Sequence, residues 1–186
     1  MSSLSVLMTG CGTTQAIKPT NQGSLDLGKY KSVLVADFRD KVTPAGTEAK
    51  HQDSRDRMRT AGRTFADLIA SEIRKTGAFQ EVVREGTAAA PRLVICGDIT
   101  RYDKGDITLR RMVGLGAGSS YLEGTVEFTD ADTGELLGKV TVDKSSFLAG
   151  GDYAATQTPE TFMEGAARRL AAEIKKIRSG AATTKM

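Results

Sequence analysis

From Tyr121 to Val142 the sequence alternates about a single tight turn. Leu122, Gly124, Val126 and Phe128 fall on one side of an extended segment, and Tyr121, Glu123, Thr125 and Glu127 fall on the other. Asp130-Ala131-Asp132-Thr133-Gly134-Glu135 supplies turn-forming residues, and Leu136, Gly138, Val140 and Val142 resume one apolar face. This pattern specifies an antiparallel hairpin, because a one-residue slip would turn its apolar set into water. A chain with such a hairpin must cover the apolar face with something else.

Two amphipathic segments provide the cover. Met58, Ala61, Phe65, Leu68, Ile69 and Ile73 recur at three- and four-residue spacing and predict a helix over about 53–76, capped by Asp53 or Ser54 and ended by Gly77. Met163, Ala166, Ala167, Leu170, Ile174 and Ile177 predict a second helix. Thr158 is its cap, Pro159 its first residue and Gly180 its stop.

Tyr30–Phe38, Phe79–Val83 and Arg92–Tyr102 read as further strands, and Ile107–Met112 as an optional one. The continuous run Leu93-Val94-Ile95-Cys96 predicts a strand covered on both faces. Residues 40–52, with Pro44 and Gly46, are expected to form a loop. The order is β-α-β-β-(β)-β-β-α. The fold class is α+β: a mostly antiparallel sheet of five to six strands with two helices packed on one face. A length of 186 residues fits one domain, placed at 29–178, with 179–186 as a loose tail. Aromatic residues are 5% with no Trp, so the core is modest.

The amino terminus carries a different signal. Leu4 to Met8 is mostly apolar, and Met8-Thr9-Gly10-Cys11 resembles a bacterial lipobox. The resemblance implies that the thiol of Cys11 takes a diacylglyceryl group, that residues 1–10 are a removed signal peptide, and that the new amine is acylated. Met8 replaces the more usual Leu, and residues 1–10 contain no Lys or Arg, so the leader is expected to be truncated. Residues 11–28 are polar, lack periodicity and are expected to be a flexible tether. Gly12 after the cysteine implies the outer membrane under the enteric sorting rule, with the domain in the periplasm.

The candidate chemistry is sparse. Gly114, Gly116 and Gly118 superficially suggest a nucleotide loop, but the next segment alternates like a strand instead of opening a helix. Their bare face suits a close backbone approach or a mobile contact region, against a neighbouring subunit or a lipid surface. Asp130, Asp132 and Glu135 read as turn residues and not as calcium ligands. His51 is the only histidine, which excludes a two-histidine zinc site and disfavours a Ser-His-Asp triad. Cys96 reads as a small core side chain. Arg55, Arg57, Arg59, Arg63, Arg74 and Lys75, with Arg110-Arg111, read as solvated basic patches. Their alternative role is contact with acidic envelope polymers or lipid headgroups. A net charge of +3 without interleaved aromatics gives no nucleic-acid signature.

Val35-Ala36-Asp37-Phe38, Thr76-Gly77-Ala78-Phe79 with Val82-Val83, and Leu93 to Ile99 appear in order. Arg110 with the glycine run and Asp130 to Glu135 follow. In this order they resemble the domain-of-unknown-function family 4410 (DUF4410), a group of bacterial lipoproteins, over about residues 29–178. That family lends no catalytic residues. At the level of fold alone, the layout is also similar to the periplasmic domains of curli-secretion lipoproteins and to the amino-terminal domain of TolB.

The expectation is a non-enzymatic envelope lipoprotein. It has no catalytic residues, metal or cofactor, and its partners are the membrane through Cys11 and a protein partner or a second copy of itself. Two alternatives stand beside it. One is a small-molecule or glycan binder with a pocket lined by Tyr30, Tyr102 or Tyr121. The other is a hydrolase using two facing carboxylates.

Overall fold

The computed structural model describes residues 12–14, 16–20, 25–41, 48–113, 117–146 and 157–180. Residues 1–11, and so the expected signal segment and Cys11, lie outside them, as do Gly114, Gly116 and residues 181–186 of the expected tail.

The strands are β1 (Gly12–Thr14), β2 (Lys18–Pro19), β3 (Ser32–Val35), β4 (Arg39–Asp40), β5 (Glu81–Val83), β6 (Arg92–Asp103), β7 (Tyr121–Asp130) and β8 (Leu136–Ser145). The helices are α1 (Glu48–Thr76), α2 (Ile107–Met112) and α3 (Pro159–Arg178). All the described strands join one sheet in the order β1-β8-β7-β6-β3-β5, with β2 also on β8 and β4 also on β6.

The β7–β8 hairpin forms as its alternation requires, pairing Tyr121 with Ser145 and Val126 with Val140. Leu122, Val126, Phe128, Val140 and Val142 are buried beneath α1 and α3 together with Val33, Val35, Leu93, Ile95 and Ile99. Phe65, Ile69 and Ile73 of α1 and Met163, Leu170 and Ile174 of α3 complete this core. Thr158 caps α3, accepting from the Thr161 amide, and Pro159 occupies its first turn.

The sheet is mixed and not mostly antiparallel. β3 runs parallel to β5, to β6 on its other side, and β4 also runs parallel to β6. α1 traverses the sheet and returns the chain to its starting end, so β5 enters parallel to β3, and residues 84–91 carry the chain back once more, so β6 does the same. β5 and β6 then flank β3 instead of pairing with each other. In β6 the core side takes Leu93 and Ile95, while Val94 and Cys96 are half-buried, so the apolar run is not covered equally on both faces.

Three other expectations change. Part of the 40–52 loop is helical, since α1 begins at Glu48 and includes His51. Ile107–Met112 is helical and not a strand: β7 already pairs with β6, and the Asp106 carboxylate accepts from the Thr108 and Leu109 amides to cap a helix. The expected tether is partly sheet. β1 and β2 pair with the outer edge of β8, and buried Ile17 donates its amide to Glu173 Oε1 at 3.1 Å. An exposed strand edge recruits main chain through hydrogen bonds, which apolar periodicity does not register.

Between β3 and β4 the chain leaves the sheet and turns Phe38 inward, its ring 5.0 Å from that of Phe65. Two glycines make room for it. A Cβ on Gly62 would overlap the Phe38 carbonyl, and one on Gly97 would overlap the Phe38 ring and the Thr125 carbonyl.

Candidate functional site

Gly12 pairs with Lys144, Lys144 with Leu122, and Leu122 with Tyr102, forming one row across β1, β8, β7 and β6. Neighbouring strands are about 4.8 Å apart, so the start of β1 lies about 14 Å from Tyr102, near the end of β6. Gly12, which follows Cys11 in the sequence, stands at this end of the sheet.

From the same end the chain makes an excursion between β6 and β7 that carries α2. Its base is closed where the Asp106 amide donates to the Gly118 carbonyl at 2.9 Å. Gly105 (φ +62°) and Gly118 (φ +67°) are both left-handed there. A Cβ on Gly105 would overlap the Gly118 and Ser119 carbonyls, and one on Gly118 would overlap the Asp106 carbonyl. The base is thus fixed by backbone packing that only glycine permits.

The neighbouring side chains stiffen it. Ser120 donates its amide to Ser146 Oγ at 2.8 Å and its hydroxyl to the Gln157 carbonyl at 2.6 Å, joining β7 to the segment entering α3. The Tyr102 hydroxyl donates to Glu160 Oε1 at 2.8 Å, and Lys104 Nζ lies 2.9 Å from the same oxygen. Burial pushes the Glu160 carboxyl up, but the hydrogen bonds from Lys104 and Tyr102 outweigh it and bring it to about 2. Burial, then the bond to Glu160, raises the Tyr102 phenol above its ordinary range.

On this base α2 presents Ile107, Leu109, Met112 and Val113, which are 44%, 46%, 80% and 59% exposed. Beside it, Asp56, Arg57, Thr60, Tyr102, Lys104, Glu160 and Met163 help line an open groove of about 390 Å³. Its Glu160 is held ionised and is therefore unsuited to act as a general acid at neutral pH.

The residues singled out from sequence do not gather in one place. Of the glycine run only Gly118 is described, and it closes a turn. Tyr102 borders the groove. Tyr30 is buried in the core, its hydroxyl 2.6 Å from Asp130 Oδ2, and Tyr121 lies under the Arg101 guanidinium at 3.5 Å. The tyrosines therefore build no common pocket. Asp130 also accepts from the amides of Asp132 and Thr133, so its carboxylate is occupied by turn chemistry. Cys96 is half-buried, and burial pushes its thiol up.

Most of the basic residues of α1 are engaged. Arg57 pairs with Asp53, Arg59 with Asp56, Arg63 with Asp37 and Lys75 with Glu72, while Arg74 donates to the Val82 carbonyl. Sequence reasoning missed the exposed apolar side of α2. Asp106, a capping residue directly before the run, was the available signal. It also missed Arg84, whose guanidinium joins Asp67, Asp37 and the Val35 carbonyl, and the buried Asp98, which is paired to Arg39 and Lys41 at 2.8 and 2.9 Å.

Two solved structures of PelC from Paraburkholderia phytofirmans, a dodecamer, have a similar fold. A single-site variant is 15% identical over 88% of this chain and 97% of that chain, with a TM-score of 0.52. A second structure is 14% identical over 90% and 98%, with a TM-score of 0.51. A Xanthomonas campestris protein of the family described as DUF330 aligns at 13% identity over 88% and 98%, with a TM-score of 0.46. No curated protein matches the chain. The model of a family described as a domain of unknown function, DUF4410, matches residues 33–151.

Proposed function

The chain belongs to the DUF4410 family, and from that premise we propose that it is a lipid-anchored module of the cell envelope that works by assembly, with copies of itself or with a protein partner, and not by catalysis. The observation that carries this reading is the pairing of β1 with β8. β1 starts one residue after Cys11, so a lipid on that thiol would attach almost directly to the sheet, with one end of the domain at the bilayer. A long slack tether would leave orientation open. Three acyl chains would make the attachment effectively permanent, at about 0.8 kcal/mol per buried methylene. PelC, which has a similar fold, is a dodecamer, and this supports self-association as the mode of assembly. The outer membrane, with the domain in the periplasm, is the compartment this reading assigns.

The test uses the protein expressed from its own gene in its native host, beside its Cys11→Ser variant, with labelled palmitate. The wild type is expected to carry label and to sediment with membranes, and the variant to carry no label and to lose most of its membrane fraction. Cross-linking in isolated envelopes is expected to give a ladder of multiples of the chain or a discrete adduct with one partner. An unlabelled, soluble wild type would contradict the anchor. A labelled protein that cross-links to nothing would contradict assembly.

The groove beside Tyr102 favours a second reading, a binder of small polar molecules or glycans. Its polar atoms at Tyr102, Lys104 and Glu160 already satisfy one another, so a ligand would have to displace them. A rise in thermal midpoint with cell-wall saccharides that is lost in Tyr102→Phe would favour this reading over assembly.

A further inference from the structure

We infer that α2 is a second membrane contact: its apolar side inserts into the headgroup and acyl boundary of an anionic bilayer, at the same end of the sheet as the lipid on Cys11. The inference rests on the anchoring proposed above and adds a specific surface and a lipid chemistry to it.

Position comes first. The row from Gly12 to Tyr102 sets the anchor attachment and the end of β6 about 14 Å apart, and α2 begins only five residues after Tyr102. A lipid on Cys11 would therefore bring a bilayer surface to the end of the molecule that carries the exposed apolar helix. Tethering at that range raises the local concentration of lipid at α2, so even weak insertion becomes persistent.

Composition follows. Leu109, Met112 and Val113 fall within one arc of about 100° on the helix, at 3.6 residues per turn. All are large apolar residues left in water, Met112 to 80%. Arg110 and Arg111 lie between them in sequence and make the segment basic, a composition that favours an anionic bilayer over a neutral one. A short helix with an apolar side and a basic sequence lies in an interface and does not span it.

Size decides against a second copy as the main occupant. The three side chains of this arc offer at most a few hundred Å², whereas a stable protein interface needs about 800 Å² from each partner. A bilayer has no such threshold, because the lipid anchor already supplies the attachment.

The chain has no Trp, so Met112→Trp introduces a single reporter. The acylated full-length variant would be reconstituted in vesicles containing phosphatidylglycerol. Its emission is expected to shift to the blue relative to the unacylated Cys11→Ser, Met112→Trp protein in buffer, and to be quenched by lipids brominated high on the acyl chain. In the Cys11→Ser background, Leu109→Glu with Met112→Glu is expected to weaken vesicle flotation by about tenfold or more. Met112 is largely exposed, so the thermal midpoint should hold. Thr133→Trp, in the turn at the opposite end of the hairpin, should show no blue shift.

If the acylated Met112→Trp protein keeps the emission of an indole in water, with no bromine quenching, the α2 inference is wrong while the anchor stands. A blue shift in lipid-free solution, accompanied by a doubled mass, would also overturn it, since a second copy would then cover the helix. Absence of acylation would sink the anchoring proposal separately. Flotation of the Cys11→Ser protein that is indifferent to the paired glutamates would count against insertion.

Discussion

Gly105 and Gly118 close the base of the α2 excursion by direct backbone approach. Both are left-handed, and the space for a Cβ on Gly105 is taken by the carbonyls of Gly118 and Ser119. Gly134, in the hairpin turn, is also left-handed at φ +71°, but nothing lies within 4 Å of its would-be Cβ.

The two sites separate two costs. Gly134→Ala should incur only the left-handed penalty, about 1–2 kcal/mol. Gly118→Ala incurs that penalty and an overlap with backbone, so about 2–4 kcal/mol is expected. Urea unfolding of both variants checks this. Equal losses would mean that the α2 base relaxes freely and is not a rigid mount.

Arg84 should be a structural linchpin of the other half of the sheet. Its side chain is only 17% exposed and bonds Asp67 on α1, Asp37 after β3 and the Val35 carbonyl. Arg84→Ala removes all three and strands a backbone acceptor. The acids are themselves half exposed or more, so the loss is set at about 2 kcal/mol. Arg84→Lys should recover only part, because an ammonium cannot span three acceptors as the planar guanidinium does. A full recovery by Lys, read from thermal midpoints, would reduce the site to simple charge.

Acid should destabilise the fold through two carboxylates. The Tyr30 hydroxyl, then the Lys29 ammonium and the turn amides, hold Asp130 well below the carboxylate range, and Glu160 is brought to about 2. Both folded values lie below the unfolded ones, near 4. The stability they contribute is therefore complete above about pH 5 and is lost as the pH falls through the folded values. Asp130→Asn should flatten the decline in urea midpoint between about pH 5 and 2 relative to the wild type. Parallel curves through that window would remove Asp130 from the account.

The hairpin and α3 were legible in the sequence because each is specified locally: alternation and turn chemistry for one, a cap, Pro159 and a periodic stripe for the other. Strand direction was not, since the parallel β3–β6 pairing depends on where α1 delivers the chain and leaves no local trace. The apolar residues of α2 could be read, but their exposure could not. Ile107 and Leu109 alternate as in a strand until the position beside β6 is known to be taken by β7. The shared row of Gly12 and Tyr102 was hidden for a related reason, because it follows only from the registers of three strand pairs.

Cys96 should be a slow thiol. It is half-buried on β6, and burial raises its pKa first, with the Glu127 carboxylate adding to the shift and Arg39 opposing it. A raised value leaves less thiolate at neutral pH, and the thiolate is the nucleophile. In a Cys11→Ser background Cys96 is the only sulfhydryl. Its alkylation by iodoacetamide at pH 7.5 is expected to be about tenfold or more slower than in the urea-unfolded chain. Mass spectrometry of timed samples measures both rates. Comparable rates would place Cys96 in an accessible, cation-rich setting and would reopen it as a reactive group on the sheet face opposite Leu93 and Ile95.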